Sequence, residues 1–176
     1  MRNVMSTINL FLLGFIRERP RSAYEMANFI EDHNIPRMIK ISAPAVYKNL
    51  IKLSREGYLE TEKVKEGEMP EKTIYSITEK GQEFFYQLLE EYSRKQVKFH
   101  FDFNSVIISL DKIEKSEAEH YLRNLREEFY DRKKLIEKNM DLLKDIPTEG
   151  RAIIRQFYMI NNTLIEWLEE FMEEYL

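Results

Sequence analysis

Ser42-Ala43-Pro44-Ala45-Val46-Tyr47-Lys48-Asn49-Leu50-Ile51-Lys52-Leu53, followed by Arg55-Glu56-Gly57-Tyr58-Leu59, is the stretch that decides the fold. Ser42 is a good residue to cap a helix, and Pro44 is tolerated behind it because the first helical amides have no internal partner. Val46, Leu50 and Leu53 make an inward stripe, while Lys48, Asn49, Lys52 and Arg55 face elsewhere. Gly57 ends the helix and turns the chain into a strand. Leu59 to Val64 and Thr73 to Ile77 then read as two strands joined by a loop containing Gly67 and Pro70. Helix, turn and hairpin in this order form a winged helix-turn-helix, whose recognition helix enters the major groove of DNA.

The flanks agree with that layout. Thr7 to Arg17 carries Ile8, Phe11, Leu12, Phe15 and Ile16 at helical spacing, and Pro20 closes it. Ser22-Ala23-Tyr24-Glu25 is a capping box that opens a second helix to about Asp32. A loop containing Pro36 leads to Ser42. After the hairpin, Thr78 caps a helix expected to reach about Gln96, with Phe85, Leu88 and Tyr92 on one face.

The second half reads differently. Lys98-Phe99-His100-Phe101-Asp102-Phe103-Asn104 alternates like a strand but has no partner, so 98–115 is read as an aromatic linker. Ser116-Glu117-Ala118-Glu119 is a second capping box, opening a helix to about Lys144. Its stripe is Ala118, Leu122, Leu125, Phe129, Ile136, Met140 and Leu143, with Arg132 on the same line. A last helix, about Glu149 to Tyr175, carries two adjacent seams. One runs Ile153, Phe157, Ile160, Leu164, Trp167, Phe171; the other runs Ile154, Tyr158, Asn161, Ile165, Leu168, Met172, Tyr175. The expected fold is therefore mainly α with a small β-hairpin. A winged helix-turn-helix domain (1–97) and the linker (98–115) precede a long-helix dimerisation domain (116–176).

Two long helices alone bury little, and two-fold association lets each subunit cover the other's stripe. Leu122, Leu125, Phe129, Ile136, Phe157, Leu164, Trp167, Leu168 and Phe171 are the residues expected to dimerise. The competing reading packs these stripes on the first domain within one chain.

Composition narrows the function. The chain has 176 residues, 43% hydrophobic and 33% charged, with only ten Gly and Pro together, which favours long helices. It has no Cys, which excludes disulfides and thiolate metal sites and fits a reducing cytoplasm. The apolar run Leu10 to Ile16 is too short to span a bilayer, and no signal peptide is read. No Gly-rich phosphate loop and no His/carboxylate cluster of metal spacing is found, so neither an enzyme nor a cofactor is expected. Net charge is −4, yet residues 1–58 hold nine Lys and Arg against five Asp and Glu, while 59–92 hold four against nine. Positive charge thus gathers around the helix-turn-helix, and local charge is what attracts phosphate.

Phosphate contacts give affinity and base contacts give specificity. Lys40, Lys48 and Lys52 are candidate phosphate ligands, as are Arg37, Arg55, Ser42 and the free amides beside it. Pro44, Ala45, Lys48 and Asn49 are candidates for the bases: apolar atoms of Pro44 or Ala45 on a thymine methyl, the Asn49 amide on adenine. The bland alternative is a solvated helix face.

Phe11-Leu12-Leu13-Gly14-Phe15, Ser22-Ala23-Tyr24-Glu25-Met26, the run Ser42 to Leu59, and Ile74-Tyr75-Ser76-Ile77-Thr78-Glu79-Lys80-Gly81 together resemble the PadR family of bacterial transcriptional regulators. The resemblance covers about the first ninety residues; Ser109 to Lys112 and the acidic tail look like the longer-tailed branch. It implies a homodimeric cytoplasmic repressor that binds a palindromic operator on double-stranded DNA and is released by a small molecule. It also adds Tyr24 and Tyr47 to the DNA-contacting candidates. Helix two opens with Ser-Ala-Tyr where many relatives have a His-Gly-Tyr-like sequence, and Ser22 is a candidate for a phosphate through its own hydroxyl and the helix N-terminus. The chain departs from the family at the wing, Glu66-Gly67-Glu68-Met69-Pro70-Glu71-Lys72, where only Lys72 is basic. For an apolar or aromatic effector, Phe99, Phe101, Phe103, Tyr121, Tyr158 and Trp167 are the candidate pocket, with ordinary core packing as the alternative. The opposed functional reading is a winged helix that docks proteins through its long helices without touching DNA; the acidic wing and tail favour it, and the cationic first segment opposes it.

Overall fold

In the computed structural model, residues 6–65, 71–140 and 146–176 are described. Residues 66–70 of the expected wing tip (Glu66 to Lys72), Leu143 and the expected helix end at Lys144 lie outside those residues, as does the side chain of Met140. The chain divides into two units, Met1–Val97 and Lys98–Leu176.

In the first unit, α1 (Thr7–Glu18) begins where the Ser6 hydroxyl accepts the Ile8 amide at 3.2 Å. A two-residue strand, β1 (Arg21–Ser22), leads into α2 (Ala23–Asp32). A single 3₁₀ turn, Ile35–Arg37, precedes α3 (Ala43–Arg55). Strands β2 (Leu59–Val64) and β3 (Lys72–Ile77) form the hairpin, and α4 (Glu79–Ser93) follows. The sheet is antiparallel in the order β1-β3-β2, with Leu59 opposite Ile77 and Arg21 opposite Tyr75. Strand β1 carries no sequence signal, because two residues after a proline cannot show alternation.

Leu12, Leu13, Ile16, Met26, Ile30, Val46, Leu50, Leu53 and Leu88 are almost fully buried and join α1 to α4 in one core, with Leu59 and Tyr75 from the sheet. Burial raises the pKa of Tyr75. The exit of α3 is a Schellman motif. The Tyr58 amide donates to Leu53 at 2.9 Å, the Gly57 amide to Ser54 at 2.9 Å, and Gly57 takes φ +78°, which favours glycine. Thr78 fastens this exit to α4: its hydroxyl accepts the Gly81 amide at 3.0 Å and donates to the Gly57 carbonyl at 2.9 Å.

The second unit contains α5 (Asn104–Ser109), a 3₁₀ turn (Leu110–Lys112), α6 (Lys115–Met140) and α7 (Thr148–Tyr175). The expected linker is thus helical over much of its length. Leu110 is buried with Ala118, Leu122, Phe129, Ile165 and Leu168, and Phe103 packs against that cluster. Alternating aromatics here are packing residues of a helical unit rather than a strand. Helix α6 starts one residue before Ser116. The Glu114 carbonyl accepts the Glu117 and Ala118 amides, and Glu119 pairs with Arg123, so the expected Ser116–Glu119 box does not form. Arg132 pairs with Glu128 on its own helix at 3.1 Å.

Helices α6 and α7 run antiparallel: the Tyr130 hydroxyl donates to Glu169 at 2.6 Å and Tyr158 to Glu137 at 3.3 Å. That bond to Glu169 raises the pKa of Tyr130. The seam through Asn161, Ile165 and Leu168 faces inward, and the Asn161 amide donates to the Phe129 carbonyl at 2.9 Å. Among the described residues no helix is long and apolar enough to cross a membrane.

Candidate nucleic-acid interface

The face of α3 opposite Val46, Leu50 and Leu53 is open. At about 100° per residue, Pro44, Lys48, Ile51 and Arg55 fall on its midline, with Tyr47 to one side and Lys52 to the other. Tyr47 is 43% exposed and Ile51 is 63% exposed. Lys48 and Arg55 are exposed; Lys52 is half-buried and lies 3.9 Å from Glu56. Ala45 is half-buried on the flank.

Ser42 occupies the N-cap position, but its hydroxyl makes no cap bond. It is exposed at the positive end of the α3 dipole, a geometry that suits an oxyanion. Lys40 is exposed just before it, as is Arg37 in the 3₁₀ turn.

The cations of the first segment separate into two groups. Arg17 donates to the Tyr86 hydroxyl and sits over the Phe85 and Tyr86 rings. Arg19 pairs with Glu25 at 3.2 Å. Arg21 pairs with Glu18 at 2.7 Å, donates to the Phe15 carbonyl at 3.1 Å and lies 3.8 Å from the Phe15 ring centre. These three hold α1 to its neighbours. Among the described residues, Arg37, Lys40, Lys48 and Arg55 form no ion pair, so the accessible positive charge centres on α3 and its approach.

Two candidates change standing on geometry. Ser22 is 5% exposed, and its hydroxyl accepts the Glu25 amide at 3.2 Å and donates to the Glu25 carboxylate at 2.9 Å. The Ser22 amide donates to the same carboxylate at 2.7 Å. That amide bond holds the Glu25 carboxyl below its usual pKa, with smaller help from the Ser22 hydroxyl and Arg19. The Ser22 hydroxyl therefore serves the cap and points no group at solvent. Asn49 is half-buried, and its amide nitrogen donates to the Ala45 carbonyl at 2.7 Å, so only a change of rotamer would free both ends for adenine. Tyr24, by contrast, is 67% exposed at the start of α2.

The described wing is not cationic. Lys63 pairs with Glu71 at 2.8 Å, which raises the Lys63 pKa, and Glu60 and Glu62 are exposed on β2. Lys72 is exposed at the start of β3.

In the second unit the expected effector residues fall into separate places. Phe101 stacks on Phe103 at 5.1 Å between ring centres, and Phe103 meets Phe129 at 5.3 Å and Trp167 at 5.8 Å. Trp167 stacks on Phe171 in turn. Phe99 is largely exposed and touches Phe101 only at 6.4 Å. Tyr121 is exposed beside His120, and Tyr158 is tied to Glu137. Phe101, Phe103 and Trp167 are thus brought together; Tyr121 and Tyr158 do not join them.

The expected dimer residues also divide. Leu122, Phe129 and Leu168 are buried inside their own unit and have no surface to offer a second copy. Leu125, Ile136, Leu164, Trp167 and Phe171 are half-buried, and Phe157 is 38% exposed beside Ile153 at 37%. Helix α6 covers one seam of α7 and leaves the start of the other open. Sequence reading missed Ile51: its signal was the spacing of four from Tyr47 and seven from Pro44, away from the buried stripe.

Residues 12–87 match the model of the Transcriptional regulator PadR-like family. No curated protein matches the chain. Among solved structures, Bacillus subtilis PadR in complex with operator DNA is similar over 97% of this chain and 100% of its own, with 14% identity and a TM-score of 0.82. The same protein in complex with p-coumaric acid matches over 99% and 98%, with 13% identity and a TM-score of 0.80. The Vibrio cholerae virulence activator AphA matches over 96% and 97%, with 16% identity and a TM-score of 0.71. These likenesses establish the winged-helix fold with C-terminal helices.

Proposed function

We propose, from the premise that residues 12–87 belong to the PadR-like family, that this chain is a sequence-specific DNA-binding transcriptional regulator acting as a homodimeric repressor in the bacterial cytoplasm. The observation that carries the reading is the outward face of α3, where Lys48 and Arg55 flank exposed Pro44, Tyr47 and Ile51. Such a helix lies in the major groove, with Ser42, Lys40 and the first amides of α3 on a phosphate. Tyr24 reaches a second phosphate, and Lys72 is the wing's contribution.

The chain dimerises through the open seam of α7, centred on Phe157, with the half-buried Leu125, Ile136, Leu164, Trp167 and Phe171 completing the contact. Two copies related by a two-fold axis then read a palindrome. A small aromatic or apolar effector binds at Phe101, Phe103 and Trp167. It releases the operator only by binding more tightly to the conformation that cannot hold DNA.

The test is an electrophoretic shift of duplex DNA selected by the full-length chain from a random library, repeated across salt concentrations. Saturable binding that weakens steeply with salt supports the regulator. No shift at low salt overturns it in favour of a protein-docking winged helix, the reading that the acidic β2 face supports.

A further inference from the structure

Ile51 is the anomaly of the recognition face. It is 63% exposed on the midline of α3, seven residues and roughly 20° short of two full turns from Pro44. Ile51 belongs to no part of the core of the first unit, so burial does not account for an apolar residue there. Lys48 and Arg55, three residues before it and four after it, border it on the same face. Cations on that rim favour a polyanion over an apolar protein surface as the occupant. On a base edge in the major groove, the one apolar group available is the C5 methyl of thymine.

We infer that Ile51 is a specificity-determining residue that reads a thymine methyl in each operator half-site. The inference rests on the DNA-binding reading and goes beyond it by naming the base and the group read. Arg55 and Lys48 hold the flanking phosphates or bases, Tyr47 closes one side of the ring edge, and the Ile51 side chain covers the methyl from the other. The Asn49 amide is turned back onto Ala45, so apolar contact rather than an amide pair dominates the middle of the helix.

Uracil in place of thymine removes only that methyl, which makes a direct probe. The full-length chain is titrated against its library-selected duplex and against duplexes carrying single thymine-to-uracil changes. The native chain loses about fourfold in affinity at one thymine per half-site, the effect of exposing one methyl. Ile51→Ala binds the thymine duplex more weakly and does not distinguish it from the uracil duplex; Ile51→Val keeps part of the discrimination. Alanine is the better helix former at this exposed site, so the variant folds, and circular dichroism checks it. Salt-dependent binding with every thymine replaceable overturns this inference alone. Equal uracil sensitivity in the native and Ile51→Ala chains overturns the assignment to Ile51. Failure to select any duplex, with no shift at low salt, overturns the regulator reading and this inference with it.

Discussion

The Tyr58 carbonyl oxygen occupies the place where a side chain on residue 81 would begin, well inside contact distance of a Cβ built on Gly81. That Cβ would also lie 2.8 Å from the Ile77 side chain. The exit of α3 and the first turn of α4 touch through this glycine. Lys80 reinforces the joint: its ammonium donates to the Glu56 carbonyl at 2.6 Å and lies 4.6 Å from the Tyr58 ring centre. Tyr58 stacks on Phe84 at 4.3 Å. The orientation of α3 is therefore fixed at its end by backbone contacts.

Gly81→Ala is expected to destabilise the first unit by about 1–3 kcal/mol, the usual cost of overpacking. Backbone cannot yield as a flexible side chain can, so the upper part of that range applies. Urea denaturation of the full chain measures it; an unchanged midpoint contradicts the joint.

Ser22→Ala removes half of a reciprocal cap and is expected to cost about 1 kcal/mol. The same box gives a pH dependence. Glu25 has a lowered pKa in the folded chain, so its contribution is present above the unfolded value of about 4.3 and is lost as pH falls through the lowered folded value. Glu25→Gln should therefore flatten the acid limb of a stability-against-pH curve and leave the curve above neutrality parallel to native. A parallel acid limb contradicts it.

Lys48→Ala should weaken binding to all duplex sequences and reduce the slope of log affinity on log salt by about one. Lys52→Ala should do less, because Lys52 is half-buried and already shares Glu56. Equal effects would show that the Lys52–Glu56 pair opens on DNA. Asn49→Ala, with its amide committed to Ala45, should leave base preference nearly unchanged; relaxed preference would show that the amide rotates into the groove.

Phe157→Glu should shift sedimentation of the chain to the monomer with helix content retained. Leu168→Ala should instead lower stability by about 2–5 kcal/mol, as for a buried core leucine. A dimer that survives Phe157→Glu contradicts the proposed seam.

Much of the first unit was legible because its signals are local. The Ser22–Glu25 box, the Thr78 cap and the Gly57 exit each act within a few residues, and each forms as the spacing predicts. The losses arose where tertiary contact overrules local pattern. Phe99, Phe101 and Phe103 alternate, yet Phe103 is drawn onto Phe129 and Trp167, and the chain coils into α5. Leu122 and Leu168 sit on helical stripes that suit a dimer equally well; only the antiparallel pairing of α6 with α7 shows that they face each other's helix. At the site, sequence named polar groups by chemistry and could not see that Ser22 and Asn49 spend theirs on their own helices. An exposed isoleucine gives no chemical signal, so Ile51 emerged only with burial.

Hydroxyl-radical footprinting of the full-length chain on its selected duplex tests the central claim, that α3 of two subunits enters successive major grooves. Two symmetric protected patches one helical turn apart, about 10 base pairs centre to centre or a multiple of that, are expected, and both should vanish for a chain carrying Lys48→Glu and Arg55→Glu. Protection that survives those two substitutions, or none at low salt, would contradict the account.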